Sequence, residues 1–172
     1  TSLHLELFRG GYAYVGVGAQ RVGIYGQSGL KAQNAERYAA LVHPGDSLSE
    51  LEILIALYFG AMRHDPDNPS WPDRDRLIVS KGHASPGLYV VLARAGYFPR
   101  EELSTFRRIN SRLQGHAHPM TPGVEMNSGS LGMGLSFALG CALAARLSHK
   151  NYLVYAILGD GECDEGEIWE AA

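Results

Sequence analysis

Three stretches of this 172-residue chain combine residue types and spacings that could do chemistry. The first is Gly159-Asp160-Gly161, directly after the uninterrupted apolar run from Tyr152 to Leu158. A carboxylate at the end of such a strand can hold a hard cation, and flanking glycines let the backbone come close. Taken alone, the tripeptide reads equally well as a tight turn with a solvated Asp160. Its sequel weighs against that, because Glu162, Asp164, Glu165, Glu167 and Glu170 follow within nine residues. Such a run repels itself unless a cation, a helix N-terminus or buried hydrogen bonds offset the charge. The second stretch, Asn127-Ser128-Gly129-Ser130-Leu131-Gly132-Met133-Gly134, opens a long apolar segment. Free N–H groups at a helix N-terminus, made accessible by glycines, suit a phosphate. Small residues packing a helix against a sheet would have the same composition. The third feature is histidine placement: His43 in His-Pro-Gly, His83 in Ser-Lys-Gly-His-Ala-Ser, and His116 and His118 in Gln-Gly-His-Ala-His-Pro. These fall at loops or strand ends, where binding groups concentrate, although a lone histidine there serves as readily as a structural hydrogen-bonder. His64 and His149 are expected at the surface. No cysteine and histidine spacing suits zinc.

The elements that must carry these groups follow from periodicity. Ser47-Leu48-Ser49-Glu50 reads as a capping box. Leu51, Leu54, Ile55 and Tyr58 continue it at helical spacing, predicting a helix to about Met62. Leu77-Ile78-Val79 is a short strand ending at Ser80-Lys81-Gly82-His83. Helices are predicted over Leu88 to Ala95, stopped by Gly96, and over Glu101 to Ile109. Leu131 to Leu147 is apolar nearly all round, the pattern of a buried helix. Tyr152 to Leu158 has the pattern of a central parallel strand covered on both faces. This alternation predicts an α/β doubly wound, mostly parallel sheet. Residues 1–38 differ: seven glycines punctuate a Tyr/Val-rich stretch that reads as short strands or a loose arm, and Gly16-x-Gly18 lacks the context of a nucleotide loop.

Composition narrows the function classes. A chain 45% hydrophobic and 19% charged, with net charge -3, is of globular type and lacks the basic stripe that nucleic acid requires. No apolar run reaches the ~18 residues of a membrane span, and no secretory signal is evident at the N-terminus. Two cysteines, Cys141 and Cys163, are too few for a disulfide framework, so the expected compartment is the cytoplasm.

Taken together, the motifs resemble the N-terminal region of transketolases, above all the short subunits of split transketolases. The resemblance is carried by Gly-Asp-Ser-Leu-Ser at 45–49, the block from Asp73 through Ser-Lys-Gly-His-Ala-Ser to Pro86, Gly96-Tyr-Phe-Pro99, Leu113-Gln-Gly-His116, Pro122-Gly-Val-Glu125 and Gly159-Asp-Gly161 with its acidic sequel. It covers residues 41 to 172 almost without gaps. Gly-Asp-Gly followed by Glu-Gly also occurs in 2-oxoacid dehydrogenase alpha subunits and identifies only the thiamine diphosphate class; the Ser-Lys-Gly-His-Ala and Pro-Gly-Val-Glu blocks are the more specific.

The resemblance implies a thiamine diphosphate-binding fold over residues 39–172, its C-terminal part lying beyond the chain, with residues 1–38 as an atypical arm. It implies that Asp160 binds the Mg²⁺ or Ca²⁺ bridging the diphosphate and that Gly161 contacts that diphosphate. Gly129, Ser130 and Leu131 would surround the cofactor, and His83 would approach its diphosphate. His43 and His116 would line the cleft and bond the donor ketose, the catalytic pair. Glu165 and Glu170 would belong to an acidic cluster linking paired sites across a dimer. The implied activity is transfer of a two-carbon ketol unit from a ketose or ketose phosphate to an aldehyde. A separate pyrimidine-binding subunit would complete the enzyme, in a heterotetramer. The alternative is a non-catalytic, partner-binding or regulatory relative. Two departures bear on that choice: Asp46 stands where the family usually has glycine, and Val42 precedes His43 where Ser-Gly is common. The second metal-binding segment and the pyrimidine-binding domain would lie outside this chain.

Overall fold

In a computed structural model the chain is described over residues 3–8, 12–17, 20–25 and 44–172. Five strands form one sheet: β1 (Leu3–Phe8), β2 (Tyr12–Val17), β3 (Gln20–Tyr25), β4 (Arg76–Val79) and β5 (Val154–Ile157), in the order β1-β2-β3-β5-β4. β5 is central, as its apolar run predicts, and runs parallel to both neighbours, Val22 and Arg76 each standing opposite Val154. β1, β2 and β3 pair antiparallel, Leu3 facing Val17 and Tyr12 facing Tyr25. Of the two readings left open for the N-terminal segment, short strands are the one found, and they extend the sheet beyond its parallel part.

Alternation along β4 and β5 shows why the sheet is covered twice. Leu77, Val79 and Ile157 pack with one apolar cluster, and Ile78, Val154, Ala156 and Leu158 with another. Successive strand side chains point to opposite faces, so the two clusters lie on opposite sides of the sheet. The first cluster is built on helices α1 (Pro44–Leu48), α2 (Leu51–Ala56, continued by a π turn, Leu57–Ala61) and α3 (Ser85–Ala95), through Leu51, Leu54, Tyr89 and Leu92. The second is built on α4 (Met133–Leu147) and α5 (Gly166–Ala171), through Leu135, Ala138, Ala142, Ala145 and Ile168. At the other end of the strands the buried carboxylate of Asp75 accepts from the N–H of Arg63 at 2.8 Å, its guanidinium at 3.0 Å and the N–H of Leu153 at 2.8 Å, fixing the starts of β4 and β5 side by side. Cys141 and Cys163 are free thiols, and no helix among the described residues is long and apolar enough to cross a membrane.

Four local expectations are corrected. Ser47 does not cap a helix: it lies inside α1, and its buried hydroxyl donates to Ala84 O at 3.4 Å and accepts from Gly87 N–H at 3.2 Å, tying α1 to α3. The segment 101–109 is only a 3-10 turn, Arg100–Thr105, because Arg107 (φ 59°) and Asn110 (φ 66°) take left-handed backbone that no right-handed helix accommodates. α4 is not buried all round, since Met133, Phe137, Leu143 and Leu147 are exposed. His64 is not a surface group: its Nε2 lies 2.6 Å from Tyr58 O and its ring stacks on Tyr97. His149 is exposed as expected.

Candidate functional site

Four loops meet beyond the carboxyl ends of β4 and β5, where ligands bind in open α/β sheets. The Gly159-Asp160-Gly161 turn leaves β5 and passes into a 3-10 turn, Gly161–Asp164. Asp160 and Gly161 are exposed, and Asp160 makes no ion pair among the described residues, so its carboxylate is available to a ligand. Ser80-Lys81-Gly82-His83 leaves β4 and leads through a 3-10 turn into α3. Gly82 stands so close to the Ser128-Gly129 loop that an added Cβ would lie 2.3 Å from Ser128 Oγ. Glycine is therefore required at 82 for the turn before His83 to lie this close to the Ser128-Gly129 loop. Gly129 and Ser130 are exposed there, with Leu131 half-buried.

The loop carrying His116 is drawn in by backbone contacts. Ser85 Oγ donates to Gly115 O at 2.8 Å, and Ser128 donates to Ala117 O through both its N–H and its hydroxyl, each at 3.2 Å. His116 itself is exposed. His43 lies outside the described residues. Glu165 and Glu170 are exposed on the acidic sequel, Glu165 packing its Cβ against the opening of α4 near Gly132.

Groups that sequence reasoning did not single out do much of the positioning. Lys81 is buried, and its ammonium donates to Asp46 O at 3.1 Å and Ser49 Oγ at 2.7 Å, with Glu50 Oε2 at 3.5 Å. Glu50 is fully buried, and neither carboxyl oxygen has a hydrogen bond among the described residues. A cavity of about 20 Å³ adjoins it, lined by Ser49, Lys81, Gly159 and Asp160, room for about one water. Burial pushes the Glu50 carboxyl up to about 8, against the pull of Lys81 and with a further push from Asp46. Glu162 is buried beneath the loops, and its carboxylate accepts from Ser80 Oγ, from Gly132 N–H at 2.8 Å and from Gly159 N–H at 2.9 Å. Ser80 Oγ in turn accepts from Gly134 N–H at 3.0 Å. Two amides opening α4 are thus already occupied, and the accessible part of the predicted anion site is the preceding loop, Gly129 to Leu131.

Glu50 gives a pH prediction. Its folded pKa lies above the unfolded value, so the folded state holds the extra proton between about 4.5 and about 8. Stability from this group is complete below that window and is lost as pH rises through it, by at most about 1.4 kcal/mol per pH unit. Glu50→Gln, which cannot ionise, is expected to flatten the decline in urea midpoint between pH 5 and 8. An unchanged pH profile in the variant would exclude Glu50 as its source.

The fit to a diphosphate with its cation is partial but chemically sensible. Asp160 offers one accessible carboxylate, and no group of three or more ligating side chains occurs among the described residues, so a cation there would draw most of its ligands from phosphate oxygens and groups outside this chain. Against the fit, Asp46 Oδ2 lies 3.9 Å from His83 Nε2, placing a carboxylate where an anion would approach.

A carboxylate and glycine turn beyond a central parallel strand, with a glycine-rich loop at a helix opening nearby, defines an α/β protein of the open-sheet kind. Residues 30–172 match the thiamine diphosphate-binding domain of transketolase, and the chain belongs to the transketolase family. A second match, to an alpha/beta hydrolase domain, takes residues 1–55 and overlaps the first. The chain is 53% identical over 131 residues to the 6-deoxy-6-sulfo-D-fructose transketolase subunit SqwG of Clostridium sp. (strain MSTE9), a match covering 76% of this chain and 48% of the relative. It is 47% identical over 131 residues to an apulose-4-phosphate transketolase subunit of Actinobacillus succinogenes, with the same coverage of each. Among solved structures, transketolase from Leishmania mexicana superposes with a TM-score of 0.71 at 32% identity, covering 80% of this chain and 22% of that one. The chain therefore spans about half the length of the curated subunits it matches.

Proposed function

We propose that the chain supplies the diphosphate-binding half of a two-subunit transketolase, which moves a two-carbon ketol unit from an anionic ketose to an aldehyde with thiamine diphosphate as cofactor. The observation that supports this reading is that the segments carrying Asp160, Gly161, His83 and Gly129 to Leu131 are tied together, Gly82 against Ser128-Gly129 and Ser80, Gly132 and Gly159 all on Glu162, in a chain whose relatives are named as transketolase subunits. Those names specify a sulfonated and a phosphorylated sugar, which supports an anionic donor. Bound thiamine diphosphate supplies the nucleophilic carbon that such a transfer needs. The residues of this chain would hold and orient it: Asp160 through Mg²⁺ or Ca²⁺, Gly161 and the Gly129-Ser130-Leu131 loop by backbone approach, and His83 at the diphosphate. His43 and His116 would bond the donor's oxygens and relay protons. In this reading residues 39–172 form the cofactor domain and residues 1–38 an atypical arm, whose strands β1 to β3 extend the sheet. The free thiols suit a cytoplasmic location.

A partner subunit, which would bring the pyrimidine-binding domain in a heterotetramer, is supported by exposed apolar surface. Phe137, Leu143 and Leu147 of α4 and Trp169 of α5 are open to solvent on the elements that cover one side of the sheet, and a second chain there would cover them. Glu165 and Glu170 stand on the same side of the sheet and would face that partner. One observation favours the alternative, a non-catalytic partner-binding relative: the carboxylate of Asp46 beside His83.

Two experiments test the proposal. Calorimetric titration of thiamine diphosphate into the chain with its partner is expected to give saturable binding with Mg²⁺ and none in excess EDTA; binding indifferent to the metal would contradict the assigned site. His116→Ala and His43→Ala are expected to lower ketol transfer ~10²-fold or more while leaving Tm within a few degrees. Loss of stability in proportion to activity would make them structural histidines instead.

A further inference from the structure

Glu162 lies in the acidic run that must be offset by a cation, a helix N-terminus or buried hydrogen bonds, and it is 3% exposed. Each of its partners comes from a different loop of the crevice. Ser80 ends β4 immediately before Lys81-Gly82-His83; Gly132 follows Gly129-Ser130-Leu131; Gly159 precedes Asp160. The Ser80 hydroxyl extends the array to a fourth point, because it donates to Glu162 and accepts from Gly134 N–H. Gly134 must come that close: an added Cβ would stand 2.3 Å from Ser80 Cβ.

We propose that Glu162 is a positioning residue for cofactor binding, one buried carboxylate that holds in register the His83 turn, the Gly129-Ser130-Leu131 loop and the Asp160 turn. The proposal rests on the functional reading above. The chemistry requires a carboxylate in particular. Every group facing it is a donor, two N–H and one O–H, and only an acceptor at both oxygens satisfies them all. Glutamine would turn an NH₂ toward at least one of these donors and leave it unpaired, and aspartate is a methylene too short to span all three. The negative end also lies at the opening of α4, a 15-residue helix whose N-terminal dipole stabilises it. A consequence follows for the ligand: with Gly132 and Gly134 amides committed, a diphosphate is met by the loop before α4 and by the cation at Asp160, and both are set by Glu162.

The test uses the full chain with its partner subunit and compares wild type with Glu162→Gln and Glu162→Ala. Three quantities are read: Mg²⁺-dependent thiamine diphosphate affinity by calorimetry, amide hydrogen exchange at Gly132 and Gly159, and Tm. Second-layer groups of this kind typically change affinity ~10- to 100-fold. Glu162→Gln is expected to weaken cofactor binding by about that factor, to speed exchange at Gly159 or Gly132 and to keep Tm within a few degrees, with Glu162→Ala weaker still. Wild-type affinity and exchange in Glu162→Gln would overturn the proposal. So would a loss of exchange protection spread evenly over β4, β5 and α4 with a matching fall in Tm, which marks general support of the fold. A wild type that binds no cofactor would sink the functional reading, and this proposal with it; a binding wild type with an equally binding glutamine variant sinks the proposal alone.

Discussion

Asp160→Ala is expected to abolish measurable thiamine diphosphate binding in the assembled enzyme while leaving the fold intact. In the proposed site the diphosphate brings several negative charges close to the carboxylates of Asp46 and Glu162, and the nearby buried cation, Lys81, is held by Asp46 O and Ser49 Oγ. A dication is therefore the main source of compensating charge, and the exposed carboxylate at the end of β5 is the group this chain offers to hold it. Removing that carboxylate removes the cation, and the diphosphate then faces uncompensated repulsion. Because Asp160 is exposed and makes no ion pair among the described residues, its loss costs the fold little. Asp46→Gly, which restores the residue usual in the family, is expected to shift affinity the opposite way by relieving repulsion beside His83. Calorimetry with Mg²⁺ present reads both. Wild-type affinity in Asp160→Ala would remove the metal assignment.

How far the sequence could be read depended on whether a residue's role was local. β5 and the Gly-Asp-Gly turn were legible because seven apolar residues in a row admit few alternatives to a covered strand, and the following glycines mark where the backbone must turn. α3 was legible through its stop at Gly96, though it starts at Ser85, three residues before the apolar periodicity suggested. The positioning groups were not legible. Lys81 reads only as part of a strand end and Glu50 as part of a capping box, and their burial arises only when α1 and α2 pack on the end of β4, about thirty residues away in sequence. Nothing in the acidic run marks Glu162 as the buried member, and its bond to Ser80 spans 82 residues. α4 illustrates a different limit. An apolar pattern on all sides cannot separate a face buried within the chain from one awaiting another chain, and Phe137 and Leu147 belong to the exposed kind. The helix expected over 101–109 failed for a backbone reason, the left-handed residues Arg107 and Asn110, which carry no glycine to announce them.

The second large effect concerns completeness. Transfer of a ketol unit requires both ends of thiamine diphosphate to be fixed. In the proposed reading this chain supplies groups for the diphosphate end: Asp160, Gly161, His83 and the Gly129 to Leu131 loop. The aminopyrimidine end would need a buried carboxylate of its own, and in the proposed reading that group comes from the partner subunit. A cofactor held at one end alone keeps its rings mobile, forfeiting orientation worth several kcal/mol, of the order of ~10³-fold in rate or more. The exposed Trp169 and the acidic pair Glu165 and Glu170 would meanwhile face water rather than a partner.

The most direct measurement is a ketol-transfer assay, from a ketose phosphate donor to an aldehyde acceptor with Mg²⁺ and thiamine diphosphate saturating. It is run on this 172-residue chain alone and on the chain co-purified with a pyrimidine-binding transketolase subunit. The predicted result is no turnover by the chain alone and turnover by the pair, lost again in Asp160→Ala. Turnover by the single chain would contradict the split-enzyme account, and a tightly associated pair that stays inactive with its pyrimidine-site carboxylate intact would establish the non-catalytic alternative.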